Sequence, residues 1–222
     1  MGKTIELAAA DGHKFATYRA DPSGKPRGAL VVVQEIFGVN GHMRRVTDGF
    51  AAAGYLALSP ALFDRTKRGV ELGYDQAAIA TGRELRGAVG DDGPLADIQA
   101  TIDLAAGAGK VGVIGYCWGG TLAYLAATRL KGLSCAVGYY GGGIAAAASE
   151  KTRVPVMLHF GDSDQSIPLS DVDKVRAAHP EITTYVYKAG HGFNCDERGS
   201  YEAASAKTAL DRTLAFLKDH IG

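Results

Sequence analysis

The stretch VIGYCWGG, residues 113–120, decides how the rest of the chain is interpreted. Apolar and small residues run from Val113 to Tyr116, and this strand pattern stops at Cys117 between two glycines. The stretch fits Gly-x-Cys-x-Gly, a nucleophile elbow with Cys in place of Ser. Such a strand-to-helix turn strains the backbone of the nucleophile, and Gly115 and Gly119 leave the space it needs. The stretch therefore predicts a buried strand, a turn that presents a thiol, and a helix.

The three cysteines of the chain allow different interpretations. A cysteine at a strand end is commonly a small buried hydrophobe, so Cys117 also has a purely structural interpretation. The elbow favours a nucleophile, because the N-terminus of the following helix would stabilise a thiolate. Cys135 is expected to pack within its strand. Cys195 follows His191 by four residues, a spacing that could suit a pair of metal ligands, but the sequence shows no second pair. We therefore expect no disulfide framework and no metal site.

Strands alternate with helices on both sides of the elbow. ALVVVQE, residues 29–35, is a continuous apolar run, typical of a strand buried on both faces of a parallel sheet. Further strands are predicted at YLALSPAL, KVGVIGY, CAVGYYG, PVMLHFG and TTYVYK, and helices over 42–54, 74–106 in two pieces broken near GDDGP, 118–130 and 201–221. Turn-forming DGH between KTIELAA and KFATYRA predicts an N-terminal β-hairpin. The pattern predicts one α/β domain over residues 1–222, its mostly parallel central sheet flanked by helices on both faces.

Four chemically capable residues follow predicted strands: Glu35, Cys117, Asp164 and His191. The carboxyl ends of parallel strands meet at one edge of a sheet, where open α/β sheets bind ligands. The order Cys117, Asp164, His191 is the nucleophile, acid and base order of α/β-hydrolases. Asp162 is a rival for the acid, and both aspartates have an alternative as turn residues. Glu35 has an alternative as a cap of the next segment.

The composition excludes several classes of function. The 24 basic and 24 acidic residues cancel, so the net charge gives no reason to expect nucleic acid or a membrane surface as a partner. Hydrophobic residues make up 46% of the 222 residues, enough for a large core. No apolar stretch is long enough for a signal peptide or a membrane helix. We expect a cytoplasmic protein, and a monomer rather than an oligomer.

Five segments together resemble the dienelactone hydrolase family: QEIFGVN (34–40), IGYCWGG (114–120), AVGYYGGG (136–143), GDSDQSIP (161–168) and AGHGF (189–193). The likeness runs over almost the whole chain and implies the α/β-hydrolase fold. It also implies that Cys117 is the nucleophile, His191 the base and Asp164, not Asp162, the acid. Glu35 would be the partner that holds the cysteine until substrate arrives.

The resemblance implies further site residues and no cofactor. The backbone N–H groups of Ile36 and Trp118 would form the oxyanion hole, as the elbow motif independently predicts. Phe37, Arg83 and Tyr139 are the expected substrate-binding side chains. The implied reaction is hydrolysis of a small lactone or ester through a thioester acyl-enzyme, as in the degradation of aromatic compounds.

The chain departs from this resemblance at the arginines that would hold a substrate carboxylate. One of the family's arginines falls four residues after the histidine, where this chain has Cys195, and another aligns roughly with Ile79. Arg83 is the first candidate substitute and Arg198 the second, the alternative being that both are solvated surface arginines. We therefore expect poor hydrolysis of carboxylated dienelactones relative to neutral esters or lactones.

Three other functions stay open at this stage. A promiscuous carboxylesterase acting on neutral esters would use the same residues. A non-catalytic ligand-binding protein is disfavoured, because a pocket that only binds does not need all four of these side chains. A redox-sensing thiol protein would need a resolving cysteine, for which Cys195 is the candidate.

Overall fold

Eight strands form one sheet in the order β1-β2-β4-β3-β5-β6-β7-β8. The computed structural model describes residues 2–222. The strands are β1 (Lys3–Ala8), β2 (Lys14–Ala20), β3 (Ala29–Val33), β4 (Leu56–Pro60), β5 (Val111–Tyr116), β6 (Leu133–Tyr139), β7 (Val156–Gly161) and β8 (Thr183–Tyr187). The helices are α1 (Gly41–Ala52), α2 (Gln76–Val89), α3 (Asp92–Ala105), α4 (Trp118–Arg129), α5 (Leu169–Ala178) and α6 (Ala203–Ile221).

The sheet is mixed, as the sequence predicts. Strands β3 to β8 run parallel to one another, whereas β1 and β2 form the antiparallel N-terminal hairpin. All residues of β3, β5 and β7 are buried, because helices cover both faces of the central strands. This double burial explains the continuous apolar runs in the sequence. The predicted α/β-hydrolase architecture is confirmed.

The register of the sheet aligns the ends of the strands that carry the candidate site. Val33 of β3 pairs with Gly115 of β5, and Tyr116 of β5 pairs with Tyr139 of β6. Gly161 of β7 pairs in turn with Tyr187 of β8. The loops that leave these five strands therefore start at one edge of the sheet.

Two helices differ from the sequence-based expectation. Helix α5 was not predicted, because only Val172 and Val175 are buried along it and the apolar period is weak. Helix α6 begins at Ala203 rather than Tyr201, since the carboxylate of Glu202 accepts hydrogen bonds from the first free backbone N–H groups. Across residues 2–222, no helix combines the length and the apolar character needed to cross a membrane.

Candidate active site

The turn after β5 has the backbone geometry of a nucleophile elbow. Cys117 lies between Tyr116, the last residue of β5, and Trp118, the first residue of α4, with φ 56° and ψ −119°. A Cβ atom at Gly115 would lie 1.8 Å from the carbonyl oxygen of Gly119, and one at Gly119 would lie 2.4 Å from the carbonyl oxygen of Gln34. Only glycine permits these approaches, so the two glycines are required by the turn.

Three of the predicted side chains form one hydrogen-bonded chain. The Nε2 atom of His191 lies 3.2 Å from the Sγ atom of Cys117, and its Nδ1 atom lies 2.8 Å from Oδ2 of Asp164. Cys117 is half-buried and accessible, whereas the carboxylate of Asp164 is fully buried. A thiol, an imidazole and a carboxylate in this order can generate a thiolate nucleophile and move its proton.

Asp164, not Asp162, contacts the imidazole. The other oxygen of Asp164, Oδ1, accepts hydrogen bonds from the backbone N–H groups of Ser166 at 2.8 Å and Ile167 at 3.1 Å. These contacts fix the carboxylate so that Oδ2 faces His191. Asp162 is exposed and accepts a hydrogen bond from the hydroxyl of Ser163. The structure therefore separates the two aspartates that the sequence left as rivals.

The hydrogen bonds of His191 favour its protonated form. Burial alone would lower the pKa of His191, but the hydrogen bonds to Asp164 and Cys117 outweigh burial and raise the pKa to about 10. At neutral pH the imidazolium can donate one N–H to the carboxylate and the other to the sulfur. Both ring nitrogens of His191 therefore have a partner, the carboxylate on one side and the sulfur on the other.

Glu35 is buried beside the elbow and is paired with Arg198. Its side chain is 1% exposed, and its Oε1 atom accepts a hydrogen bond from Nη1 of Arg198 at 3.3 Å. Its Oε2 atom is buried without a hydrogen-bond partner among residues 2–222. The sequence led us to expect Glu35 to hold Cys117, whereas the described hydrogen bonds join Glu35 to Arg198 and Cys117 to His191.

The two predicted oxyanion donors lie in segments that meet at the elbow. Trp118 is the first residue of α4, so its N–H belongs to the helix N-terminus and has no partner within the helix. The close approach of Gly119 to Gln34 brings the segment containing Ile36 against the same turn. Helix α2 supports that segment from outside, because Gly82 packs against the carbonyl group of Ile36.

The expected substrate-binding residues are only partly brought together. Phe37 is buried at the site and lies under the guanidinium of Arg198, whose Cζ is 5.6 Å from the ring centroid. Arg83 has an exposed side chain on α2, whereas Arg198 reaches Glu35 and covers Gly192, the residue after His191. Of the two candidate arginines, Arg198 is therefore the one that lies beside Glu35 and the His191 loop.

Tyr139 does not face the site. It is fully buried, and its hydroxyl lies 2.7 Å from Oγ1 of Thr213 on α6. Tyr140 takes the position at the site instead, with its ring edge-on to His191 at a centroid distance of 5.2 Å. Tyr140 lies just beyond the end of β6, and its positive φ turns the chain there, so its ring leaves the direction of the Tyr139 ring. Tyr139 contributes its carbonyl group, which accepts a hydrogen bond from the N–H of Cys117.

Two features of the site were missed by the sequence analysis. Tyr140 has φ 37°, an uncommon value for a bulky residue, and its buried hydroxyl has no partner among the residues described. The hydroxyl of Ser200 donates a hydrogen bond at 2.7 Å to the carbonyl oxygen of His191 and fixes that loop. The double tyrosine at a strand end was an available signal for Tyr140. No periodic pattern marks Ser200.

Cys195, in the position of the missing arginine, is fully buried. Burial raises the pKa of its thiol to about 11. Its thiol lies close to the side chains of His42 and Asp196. Among residues 2–222, these three side chains form a cluster of potential metal ligands.

Comparison with known proteins gives the family. Residues 15–221 match the model of the dienelactone hydrolase family. The chain belongs to this family. Its members are hydrolases that act on ester or lactone bonds.

Individual relatives cover nearly the whole chain. A carboxymethylenebutenolidase from Pseudomonas putida is 33% identical over 224 residues, which span 96% of this chain and 94% of the relative. A presumed carboxymethylenebutenolidase from a Synechocystis strain is 34% identical over 220 residues, 90% of this chain and 89% of the relative. A solved structure of a presumed dienelactone hydrolase from Klebsiella pneumoniae superposes with a TM-score of 0.85 at 30% identity, over 99% of this chain and 100% of the other.

Proposed function

We propose that this dienelactone hydrolase family member hydrolyses small lactones and esters with Cys117 as the nucleophile, His191 as the general base and acid, and Asp164 as the residue that orients His191. The observation that carries the proposal is the continuous hydrogen-bonded chain from Cys117 Sγ through His191 to Asp164 at a strained elbow. A purely structural cysteine would have no need of this alignment.

Acylation begins from the thiolate of Cys117 beside the protonated His191. The sulfur attacks the carbonyl carbon of the substrate, and the carbonyl oxygen becomes an oxyanion. The N–H groups of Ile36 and Trp118 are the proposed donors to this oxyanion, and one such donor is worth roughly 10²–10³ in turnover. The C–O bond then breaks, His191 gives its proton to the leaving oxygen, and a thioester on Cys117 remains.

Deacylation returns the enzyme to its starting state. His191, now neutral, takes a proton from a water molecule that attacks the thioester carbonyl. The second oxyanion collapses, the carbon–sulfur bond breaks, and the carboxylic acid product leaves. The carboxylate of Asp164 accepts a hydrogen bond from Nδ1–H and keeps Nδ1 protonated, so that Nε2 is the atom that exchanges the proton.

Arg198 is the proposed binding group for a substrate carboxylate. Its side chain is 17% exposed, and its guanidinium covers the residue after His191 and lies over Phe37, so an anion entering the site can reach it. A substrate carboxylate bound there would compete with Glu35 for the guanidinium. Glu35 would then be free to turn its carboxylate to Cys117, the role that the family resemblance implies. This proposal therefore predicts activity on carboxylated lactones, whereas the arginines missing from the sequence predict poor activity on them.

The cellular setting is also part of the proposal. We infer a cytoplasmic enzyme that acts as a monomer in the degradation of aromatic compounds. All three cysteines are free thiols, which agrees with a reducing compartment. The name of the Pseudomonas relative supports a butenolide as the substrate class.

A screen of lactones and esters tests the function. Wild type and Cys117→Ala are compared on dienelactones, neutral lactones and p-nitrophenyl acetate, without added reductant. We expect steady turnover by wild type and a loss of at least about 10³-fold in Cys117→Ala. Turnover that survives in Cys117→Ala would remove Cys117 as the nucleophile. No turnover of any ester by wild type would favour the binding or redox alternatives.

A further inference from the structure

A second group of polar side chains lies outside the triad, between the His191 loop and α1. It consists of the imidazole of His42, the thiol of Cys195 and the carboxylate of Asp196, whose ligand atoms all lie within 4.8 Å of one another. Nδ1 of His42 is 2.9 Å from Oδ1 of Asp196. A tetrahedral metal ion with bonds of roughly 2.0–2.3 Å separates its ligand atoms by about 3.3–3.8 Å, so small adjustments would suffice.

Two of the three side chains are held firmly in place. His42 is 4% exposed on the first turn of α1, and Cys195 is fully buried. The backbone around Cys195 forms two successive turns, in which its N–H bonds to the carbonyl oxygen of Gly192 and its carbonyl oxygen accepts from the N–H of Arg198. Asp196 is the exposed and adjustable member. A site with two fixed ligands and one mobile ligand can close around an ion that enters from solvent.

Polar groups adjoin the buried sulfur of Cys195. They are the hydroxyl of Tyr74 and the backbone N–H of Glu197. The hydroxyl of Tyr74 itself accepts a hydrogen bond from the amide of Asn40 at 3.0 Å. Donors of this kind around a ligating sulfur orient it and stabilise its charge.

We propose that His42, Cys195 and Asp196 bind a divalent transition metal ion of the Zn²⁺ type. Imidazole nitrogen, thiolate sulfur and carboxylate oxygen are the three ligand types that Zn²⁺ takes in proteins. Binding breaks the S–H bond of Cys195, forms a metal–sulfur bond and releases the proton to solvent. The ion lies outside the catalytic chain and takes no part in the acyl-transfer steps.

An adjoining cavity supplies the entry path and room for a fourth ligand. It has a volume of about 530 Å³, lies between α1 and α6, and is lined by His42 and Asp196. A water molecule from this cavity could complete the tetrahedron. Arg45, also at the cavity, lies 3.4 Å from the same oxygen of Asp196 but has a closer partner in Glu197. Its positive charge opposes the ion, so Arg45→Gln is expected to tighten metal binding.

Co²⁺ absorption tests the site directly. The experiment uses full-length Cys117→Ala protein, because Cys117 and His191 are a second thiol–imidazole pair that could bind the same ion. Co²⁺ added to this protein is expected to give a near-ultraviolet thiolate-to-metal charge-transfer band, which Zn²⁺ abolishes by displacement. The band should be lost when Cys195→Ser is added and unchanged when Cys135→Ser is added, since Cys135 is equally buried but lies within β6. His42→Asn should weaken Co²⁺ binding at least about 10-fold.

Thermal unfolding gives the second measurement and controls for misfolding. Zn²⁺ should raise the melting temperature of Cys117→Ala and leave that of Cys117→Ala/Cys195→Ser unchanged, with both proteins giving the same far-ultraviolet circular dichroism. A charge-transfer band that survives Cys195→Ser, or no band and no thermal shift in Cys117→Ala, would overturn the proposal. Tighter Co²⁺ binding by Arg45→Gln would support it, and unchanged or weaker binding would contradict it.

Discussion

Oε1 of Glu35 lies 3.3 Å from Nη1 of Arg198, whereas Oε2 is buried without a hydrogen-bond partner among residues 2–222. A buried carboxylate that is half satisfied is poor for stability, because the desolvation of the charge is only partly offset. The arrangement is better explained by function, since an incoming anion would exchange partners with Glu35. The same relationship places a positive charge beside the residue that follows His191.

Alkylation should select Cys117 among the three thiols. Iodoacetamide reacts with accessible thiolates, and Cys117 is half-buried next to an imidazolium. Cys135 and Cys195 are fully buried, and burial raises the pKa of these thiols to about 12 and about 11. We expect loss of activity to match labelling of Cys117 in peptide mapping. Modification of Cys195 first, with activity intact, would contradict the assignment.

Asp164→Asn should lower turnover far more than Asp162→Asn. The amide can still pack against Ser166 and Ile167, but it no longer holds Nδ1 of His191 protonated as a carboxylate does. The loss expected for such a change is on the order of 10⁴ in kcat. Asp162→Asn is the matched control, because it removes an exposed carboxylate two residues away. Similar activities in the two variants would exclude Asp164 as the acid.

Gly119→Ala should destroy the elbow, whereas Gly87→Ala should not. A methyl group at Gly119 would lie 2.4 Å from the carbonyl oxygen of Gln34 and push the two proposed oxyanion segments apart. We expect a loss of about 10²–10³ in kcat, the cost of one oxyanion donor. Gly87 lies on α2 with open space around it, and alanine there should stabilise the protein by about 0.5–1 kcal/mol. Full activity in Gly119→Ala would refute this model of the oxyanion hole.

The stability of the protein should depend on the titration of His191. Its pKa in the folded protein is about 10, above the ~6.5 of an unfolded histidine. Its contribution is therefore complete below about pH 6.5, falls as the pH rises, and is lost above about pH 10. The difference in free energy of unfolding between wild type and His191→Gln should shrink by a few kcal/mol over that range. Urea unfolding of both proteins between pH 6 and pH 10.5 measures this difference. A difference that stays constant with pH would argue against a protonated imidazole.

The fold was predictable because central parallel strands are buried on both faces. That burial gives continuous apolar runs such as the one ending at Val33, and their ends locate the polar site residues. The strained turn was equally predictable, since only glycine fits at positions 115 and 119 on either side of Cys117. Helix α5 left a weaker pattern because it buries few residues.

The positions of the arginine and tyrosine side chains could not be predicted from the sequence, for a different reason. Arg198 reaches the site through the turns that follow His191, and no periodicity encodes the direction of such turns. Arg83 is on a predicted helix, but which face of α2 meets the site depends on the packing of Gly82 against Ile36. Tyr139 ends β6, and Tyr140 follows it with a positive φ that no sequence pattern marks.

The last prediction concerns substrate charge. Arg198→Gln should lower kcat/KM for a carboxylated dienelactone by about 10- to 100-fold, because a charged hydrogen bond contributes roughly 1.5–3 kcal/mol. The kcat/KM for a neutral ester with a matched leaving group should fall much less. The ratio of the two kcat/KM values therefore separates recognition of the carboxylate from any effect of the substitution on Glu35. Arg83→Gln is the matched control, since it removes an equal charge from an exposed position on α2.

Steady-state kinetics of three proteins on two substrates measure this ratio. We expect the preference for the carboxylated substrate to fall in Arg198→Gln and to stay at the wild-type value in Arg83→Gln. A preference that falls only in Arg83→Gln would restore the sequence-based order of the two arginines. If the ratio is unchanged in both variants, neither arginine binds the substrate carboxylate. The contact of Arg198 with Glu35 would then act only on Cys117.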